Sequence, residues 1–333
     1  MKKIKSVVSL LLVLCFLPVT GCAPSGSSSD GAGDKKPLKV ALVMSGTISD
    51  QGWNAMAYNG LKEIEEKYGA TVKYTESVGK SDMEEAFRSY ASEGFDVVFG
   101  HGFEFSDTAK AVGPDFPDTV FLVTSSDVSQ APNVGSVTNS NEEVGFLLGV
   151  VAAYSTETKK IGSLNGMESP QIIASMKGIR AGIDYVDKSI EYASLYTGSF
   201  DDAAKAKEMA LAMNNSGVDV IQGDPNQMSM GILEACDETG MRFLGVMGDF
   251  AQMNADVVIT SGLVDFGKAM TSVTGQIVDG TWKPGTADFG VKEGVVYLAP
   301  LNEKVLKADQ IASINQMLED IKSGALDVRA LIG

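Results

Sequence analysis

Positive charge is scarce in this chain: 27 lysines and arginines stand against 43 aspartates and glutamates, leaving a net charge of −16. Nucleic-acid phosphates are held by Lys and Arg, so a nucleic-acid partner is excluded. The same acidity disfavours direct contact of the folded part with an anionic membrane face. Histidine occurs once, as His101, and cysteine three times, as Cys15, Cys22 and Cys236. There is no CxxC pair and no Cys/His cluster, which excludes a structural zinc site. No carboxylate cluster has metal spacing, and no P-loop, GxGxxG turn or GxSxG elbow is present. No cofactor is therefore expected, and no catalytic constellation points to an enzyme. The apolar run from Val7 to Val19 is too short for a permanent membrane helix, which needs ~20 such residues.

That run has another reading. It follows Lys2, Lys3 and Lys5 and ends at Val19-Thr20-Gly21-Cys22. A basic stretch, an apolar stretch and small residues make a secretory signal, residues 1–21. The cysteine resembles that of a bacterial lipobox, so Cys22 is the expected lipidation site; a plain signal cut at Gly21 or Ala23 is the alternative. Residues 23–36 are Ser, Gly, Ala, Asp and Lys with one Pro and no apolar period, as in a flexible tether. Loss of Cys15 with the signal and lipidation of Cys22 leave Cys236 with no partner for an internal disulfide. It sits among Ile232, Leu233 and Ala235 and reads as a buried thiol.

The remaining length exceeds one ordinary core and predicts two lobes. Short β-rich runs alternate with amphipathic helices. Leu38 to Met44 reads as a buried strand, and Ala57, Leu61, Ile64 and Tyr68 share one face of the next helix. Regular alternation of this kind predicts an α/β protein with parallel sheets covered on both faces. The segment Gly94 to His101 echoes Gly217 to Asp224, about 120 residues on, which suggests two similar lobes. In such lobes ligands bind beyond the carboxyl ends of the strands. The loops after Met44, Gly100, Thr124, Leu164, Gln222 and Val246 are thus expected to line one cleft.

Those loops hold the candidate binding residues. In the first, Asp50 fits either a helix N-cap or a ligand acid. Trp53 fits either core packing or a stacking face, with Asn54 beside it. In the second, His101 and Phe103 follow Gly100; His101 is either a ligand group or a satisfied structural residue, and as a catalytic base it has only Glu104 near it. Ser126 lies in the loop after Thr124. Glu168 follows Leu164, and Asp224 and Gln227 follow Gln222; each also fits turn or capping chemistry. Asp249 follows Val246.

The pieces Ser49 to Asn54, Gly94 to Gly102, Pro132-Asn133-Val134, Glu143 to Gly149, Lys160-Ile161-Gly162, Gly178 to Gly182 and Gly217 to Ile221 have a collective likeness. In their order and spacing the chain resembles the basic membrane protein family of bacterial substrate-binding lipoproteins, which includes purine nucleoside receptors of ABC importers. The resemblance implies a type I periplasmic-binding-protein fold, two Rossmann-like lobes joined by three crossovers. The crossovers are expected near Asn139, Ala255 and Pro284, giving lobes of residues 37–139 plus 256–284 and 140–255 plus 285–333. It also implies permease subunits as partners, and anchorage to the outer face of the cell membrane through Cys22. Departures bear on the ligand. Where the nucleoside receptors carry a ribose-gripping aspartate this chain has Met247, and Gly262-Leu263-Val264 stands where they carry a lysine. Ser125 replaces a further aspartate, and the Trp-containing first loop resembles a subgroup that binds free purine bases. The expected function is capture of a small planar polar solute, a purine base or nucleoside. A ligand sensor acting on a signalling partner, and a receptor for another solute, are the alternatives.

Overall fold

Runs of β-branched residues buried on both faces form the middles of two sheets; strands with one wet face form the edges. The computed structural model describes residues 36–50, 53–224 and 226–332, with the backbone alone for Asp50. The signal run, Cys22 and most of the tether lie outside these residues. The first sheet holds β1 (Lys39–Met44), β2 (Thr71–Thr75), β3 (Val97–His101), β4 (Val120–Thr124), β5 (Val134–Asn139) and β11 (Thr286–Phe289). Its order is β11-β5-β4-β3-β1-β2, all parallel. The second holds β6 (Lys160–Asn165), β7 (Glu191–Tyr196), β8 (Val220–Gly223), β9 (Arg242–Val246), β10 (Val258–Val264) and β12 (Val296–Leu298). Its order is β12-β10-β9-β8-β6-β7, with only β12 antiparallel.

Five strands of each sheet thus repeat one order, 2-1-3-4-5, which is the doubly wound pattern. The sequence echo falls on β3 and β8, the third strand of each series. Gly94 (φ 74°) and Gly217 (φ 97°) both take the left-handed turn that a side chain would resist. The aspartate two residues on ties each strand to its neighbour's start. Asp96 accepts from the Lys39 amide at 2.7 Å, and Asp219 from the Glu157 and Thr158 amides at 2.6 and 2.9 Å.

Helices cover both faces. On the first sheet, α1 (Trp53–Tyr68) packs against α8 (Phe266–Val278), while α2 (Met83–Ser92) and α3 (Ser106–Val112) lie over Phe87, Phe105 and Phe121. On the second, α6 (Ala203–Asn215) and α7 (Gln227–Thr239) bury Cys236 among Ile232, Met213 and Phe243. The opposite face carries α4 (Asn141–Ser155), α5 (Pro170–Val186) and α9 (Ala308–Ser323), with the short α10 (Val328–Ile332) beside them. Burial pushes the Cys236 thiol up to about 12, as expected for an inert thiol. The described residues from Pro37 onward make one compact unit.

Two expected crossovers move. Strand β10 pairs with β9 in the second sheet, so the chain returns to the first layer after Val264 rather than near Ala255. Then β11 pairs with β5, which puts the last passage between Phe289 and Val296, past Pro284. Glu143 holds that passage by accepting from the Val291 amide at 2.6 Å.

The most extensive helix packing is between α4 and α5, through Gly145 and Gly149 on one helix and Gly178 and Gly182 on the other. A Cβ at Gly149 would sit 2.2 Å from the Ile179 carbonyl oxygen, and one at Gly182 as close to that of Phe146. Helix α4 is apolar all round, because the sheet lies on one side of it and α5 and α9 on the other. Gly149→Ala is therefore expected to destabilise the protein by about 1–3 kcal/mol through overpacking. Urea unfolding measures this, and an unchanged midpoint would show that the two helices separate at no cost.

Candidate functional site

The carboxyl ends of the two sheets meet around a cleft of ≈ 670 Å³. Trp53 and Phe103 reach it from beyond β1 and β3, and Asn139 from the end of β5. From the second sheet come Ser169 after β6, Asp224 and Asn226 after β8, Met247 after β9, and Val264 at the end of β10. Its lining combines apolar side chains, chiefly Trp53, Met56, Val144, Met247 and Phe250, with neutral polar ones such as Asn139, Asn141, Gln171 and Ser175 and the carboxyl of Asp224. Such a lining suits a largely apolar solute fixed by a few hydrogen bonds.

Trp53, the first residue of α1, is a fixed plate. Its ring stacks on His101, with centroids 4.0 Å apart and planes at 25°, and Phe266 meets it edge-on at 4.9 Å. His101 is fully buried behind it. The Gly102 amide donates to Thr124 Oγ1 (3.0 Å), that hydroxyl faces His101 Nδ1 (2.8 Å), and His101 Nε2 lies 2.9 Å from the Trp53 carbonyl oxygen. The Trp53 carbonyl can only accept, so Nε2–H donates to it; in the neutral ring Nδ1 then accepts from the Thr124 hydroxyl. The histidine thus braces the tryptophan and does not form part of the cleft wall. The glycines flanking His101 are set by packing and backbone conformation. A Cβ on Gly100 would strike Phe105 and Phe87 at 2.6 and 2.7 Å, and Gly102 has φ 123°. Glu104, the only acid near His101 in sequence, accepts instead from Ser45 Oγ at 2.8 Å.

Asp224 is the only ionisable side chain among the described residues of the cleft wall. It is 8% exposed, and its Oδ2 accepts from the Gly166 amide at 2.9 Å. Burial pushes its carboxyl up to about 6, against the pull of hydrogen bonds from Gly166 and Gln222. Its neighbour Asn226 and the facing Met247 hold φ of 79° and 61°. Conformations of this kind cost energy in residues other than glycine and cluster at binding sites.

The other expected residues divide. Phe103 lines the cleft and is 71% exposed at its rim. Asn54 is buried against Gly46. Ser126 is buried in a turn, its hydroxyl 2.8 Å from that of Ser106 and accepting from the Val128 amide, so the loop after Thr124 does not reach the cleft. Asp249 caps a short helical turn by accepting from the Ala251 amide. Glu168 and Gln227 are exposed and lie off the wall. The Asp50 side chain falls outside the described residues. Sequence reasoning missed Phe200, whose ring covers Gly166, where a Cβ would come within 2.2 Å of it. It also missed Met56, Asn141 and Ser175.

A family model described as "ABC transporter substrate-binding protein PnrA-like" matches residues 38–331. Basic membrane protein A of Borreliella burgdorferi is 31% identical over 296 residues, covering 87% of this chain and 86% of that protein. The ABC transporter nucleoside-binding protein BmpA of Lactococcus lactis subsp. cremoris is 28% identical over 345 residues, covering 97% and 98%. Among solved structures, an ABC transporter system solute-binding protein from Conexibacter woesei has a TM-score of 0.68 at 28% identity, covering 87% of this chain and 98% of that one. The two-sheet architecture is the type I periplasmic-binding-protein fold.

A carboxyl whose pKa is higher folded than unfolded favours the folded state when protonated, so its contribution declines as pH rises through the folded value. Asp224→Asn removes the charge while keeping an acceptor for Gly166. Without ligand it is expected to raise stability at pH 7.5 by on the order of 1–3 kcal/mol. The gain should shrink as pH falls from 7 towards 4. Melting of both proteins across that range checks this; a variant less stable at pH 7.5 would mean that the carboxylate holds the fold together.

Proposed function

We propose that this chain, which belongs to the family of PnrA-like ABC transporter substrate-binding proteins, captures a purine base or nucleoside outside the cytoplasm and delivers it to a permease. Of the two ligands the free base fits better. The observation that carries this reading is the cleft itself: a braced indole plate at Trp53, neutral polar side chains and one acid in the same lining, and no cation among its described residues. A phosphate or carboxylate would find no Lys or Arg there to offset its desolvation. Met247 and Val264 line the positions where, by the family resemblance, a ribose would be gripped by an aspartate and a lysine. A pentose placed against them would bury hydroxyls beside apolar carbon, and each unpaired hydroxyl carries a cost. A nucleoside binding protein among the relatives supports the purine class. Capture proceeds by closure of the two layers around a ligand that touches both, which selects the closed state. The lipobox-like segment before the tether supports anchorage through Cys22.

Calorimetry with adenine, guanine, hypoxanthine and their nucleosides tests the ligand. Bases are expected to bind at least as tightly as nucleosides. Trp53→Ala should weaken binding by roughly 1–3 kcal/mol, the range for base–aromatic stacking. Quenching of indole fluorescence should vanish in Trp53→Phe and persist in Trp282→Phe, because Trp282 packs against Gly135 of β5, away from the cleft. Nucleosides binding far more tightly than bases would reverse the preference, and silence from every purine would overturn the ligand class. Cys22→Ser should move the protein from the membrane fraction to the soluble one; full retention on the membrane would refute the anchor.

A further inference from the structure

Gln222 and Asp224 are two residues apart at the end of β8, so both side chains leave the same face of the sheet. Gln222 is 3% exposed and hydrogen-bonds to Asp224, its amide donating to the carboxylate; its own Oε1 is buried and has no hydrogen-bond partner. Behind the pair the same face carries a satisfied polar cluster. Ser163 Oγ lies 2.8 Å from the Tyr192 hydroxyl and donates to Ser194 Oγ at 2.9 Å, and Asn165 Nδ2 donates to Ser194 Oγ at 2.7 Å. That side of Asp224 is therefore closed, and its free capacity faces the cleft.

An ionised carboxylate offers about four acceptor sites. Gly166 and Gln222 occupy two of them, so about two remain, and carboxylates pair well with two parallel N–H donors. The cleft holds no other ionisable group among its described residues. Trp53, held by His101 and Phe266, lines the same cleft from the other sheet and offers a flat ligand a stacking face while Asp224 offers it acceptors.

We propose that Asp224 is the specificity-determining residue of this cleft, and that it selects heterocycles presenting a ring N–H beside an exocyclic amino group, the edge that guanine carries and hypoxanthine only half carries. The inference rests on the purine reading and deepens it. Removing the amino group leaves one carboxylate site unpaired in a buried place, which a site built for that donor rejects. Asn at this position presents one acceptor and a donor, so it opposes one of the two N–H groups.

The test is competition calorimetry with guanine and hypoxanthine against the native protein, Asp224→Asn and Asp224→Ser. The native protein is expected to favour guanine at least tenfold. Both variants should bring the two bases within about twofold, chiefly by weakening guanine. The second variant keeps the question open to refutation if the first folds poorly. A native protein that binds both bases equally, or an Asn or Ser variant that keeps the tenfold preference, would overturn the role of Asp224 while leaving the purine reading intact. Binding of neither base by the native protein would overturn both.

Discussion

The first strand of each sheet lies between the second and the third, and this single ordering decides where ligand chemistry can occur. Loops from neighbouring carboxyl ends there turn to opposite faces, and a crevice opens between them. β1 and β3 form that point in the first sheet, and β6 and β8 in the second. Trp53 and Phe103 follow the first pair, and Ser169 and Asp224 follow the second. The cleft is thus where two such points meet, and its plate and its acid come from opposite layers. A ligand that touches both ties the layers together, which is what a capturing protein requires.

The cleft is also where the molecule spends stability. A carboxylate is buried there with no cation among the described residues of the lining, and Asn226 and Met247 sit at positive φ beside it. The counterweight lies elsewhere. Backbone-to-backbone packing of α4 on α5 ends at the cleft, with Asn141 and Val144 on one helix and Ile172 and Ser175 on the other. Those side chains are therefore displayed from a stiff pair of helices rather than from loops. The His101 brace does the same for Trp53: it fixes the ring's orientation before any ligand arrives, so little rotamer freedom is lost on binding.

Much of the fold was legible because two signals agreed. Helical spacing in Ala57, Leu61 and Ile64, and β-branched and aromatic runs such as Val97-Val98-Phe99, fall within elements of the matching type. The repeated glycine at 94 and 217 proved to be a repeated left-handed turn. The ends of the chain's second half were less legible. The strand Thr286–Phe289 has no alternation to read, since it is a short edge, and its placement depends on pairing with a strand about 150 residues earlier. Side-chain direction was the weakest point in the site. His101 and Asp224 hold equivalent places at the ends of β3 and β8, yet one is sealed under an indole and the other borders the cleft. Nothing in the local residues separates them; the phenylalanines filling the space beside Gly100 do. Phe200 follows β7 in a segment with no motif, and its place over Gly166 is purely tertiary.

The central claim is that this cleft holds a flat, neutral nitrogen heterocycle against Trp53. The most direct measurement is mass spectrometry of the small molecules released on denaturing the purified protein, run beside Trp53→Ala. A near-stoichiometric heterocycle of purine size, carried by the native protein and lost from the variant, is the predicted result. A sugar or an anionic solute in that amount, or equal retention by the two proteins, would contradict it.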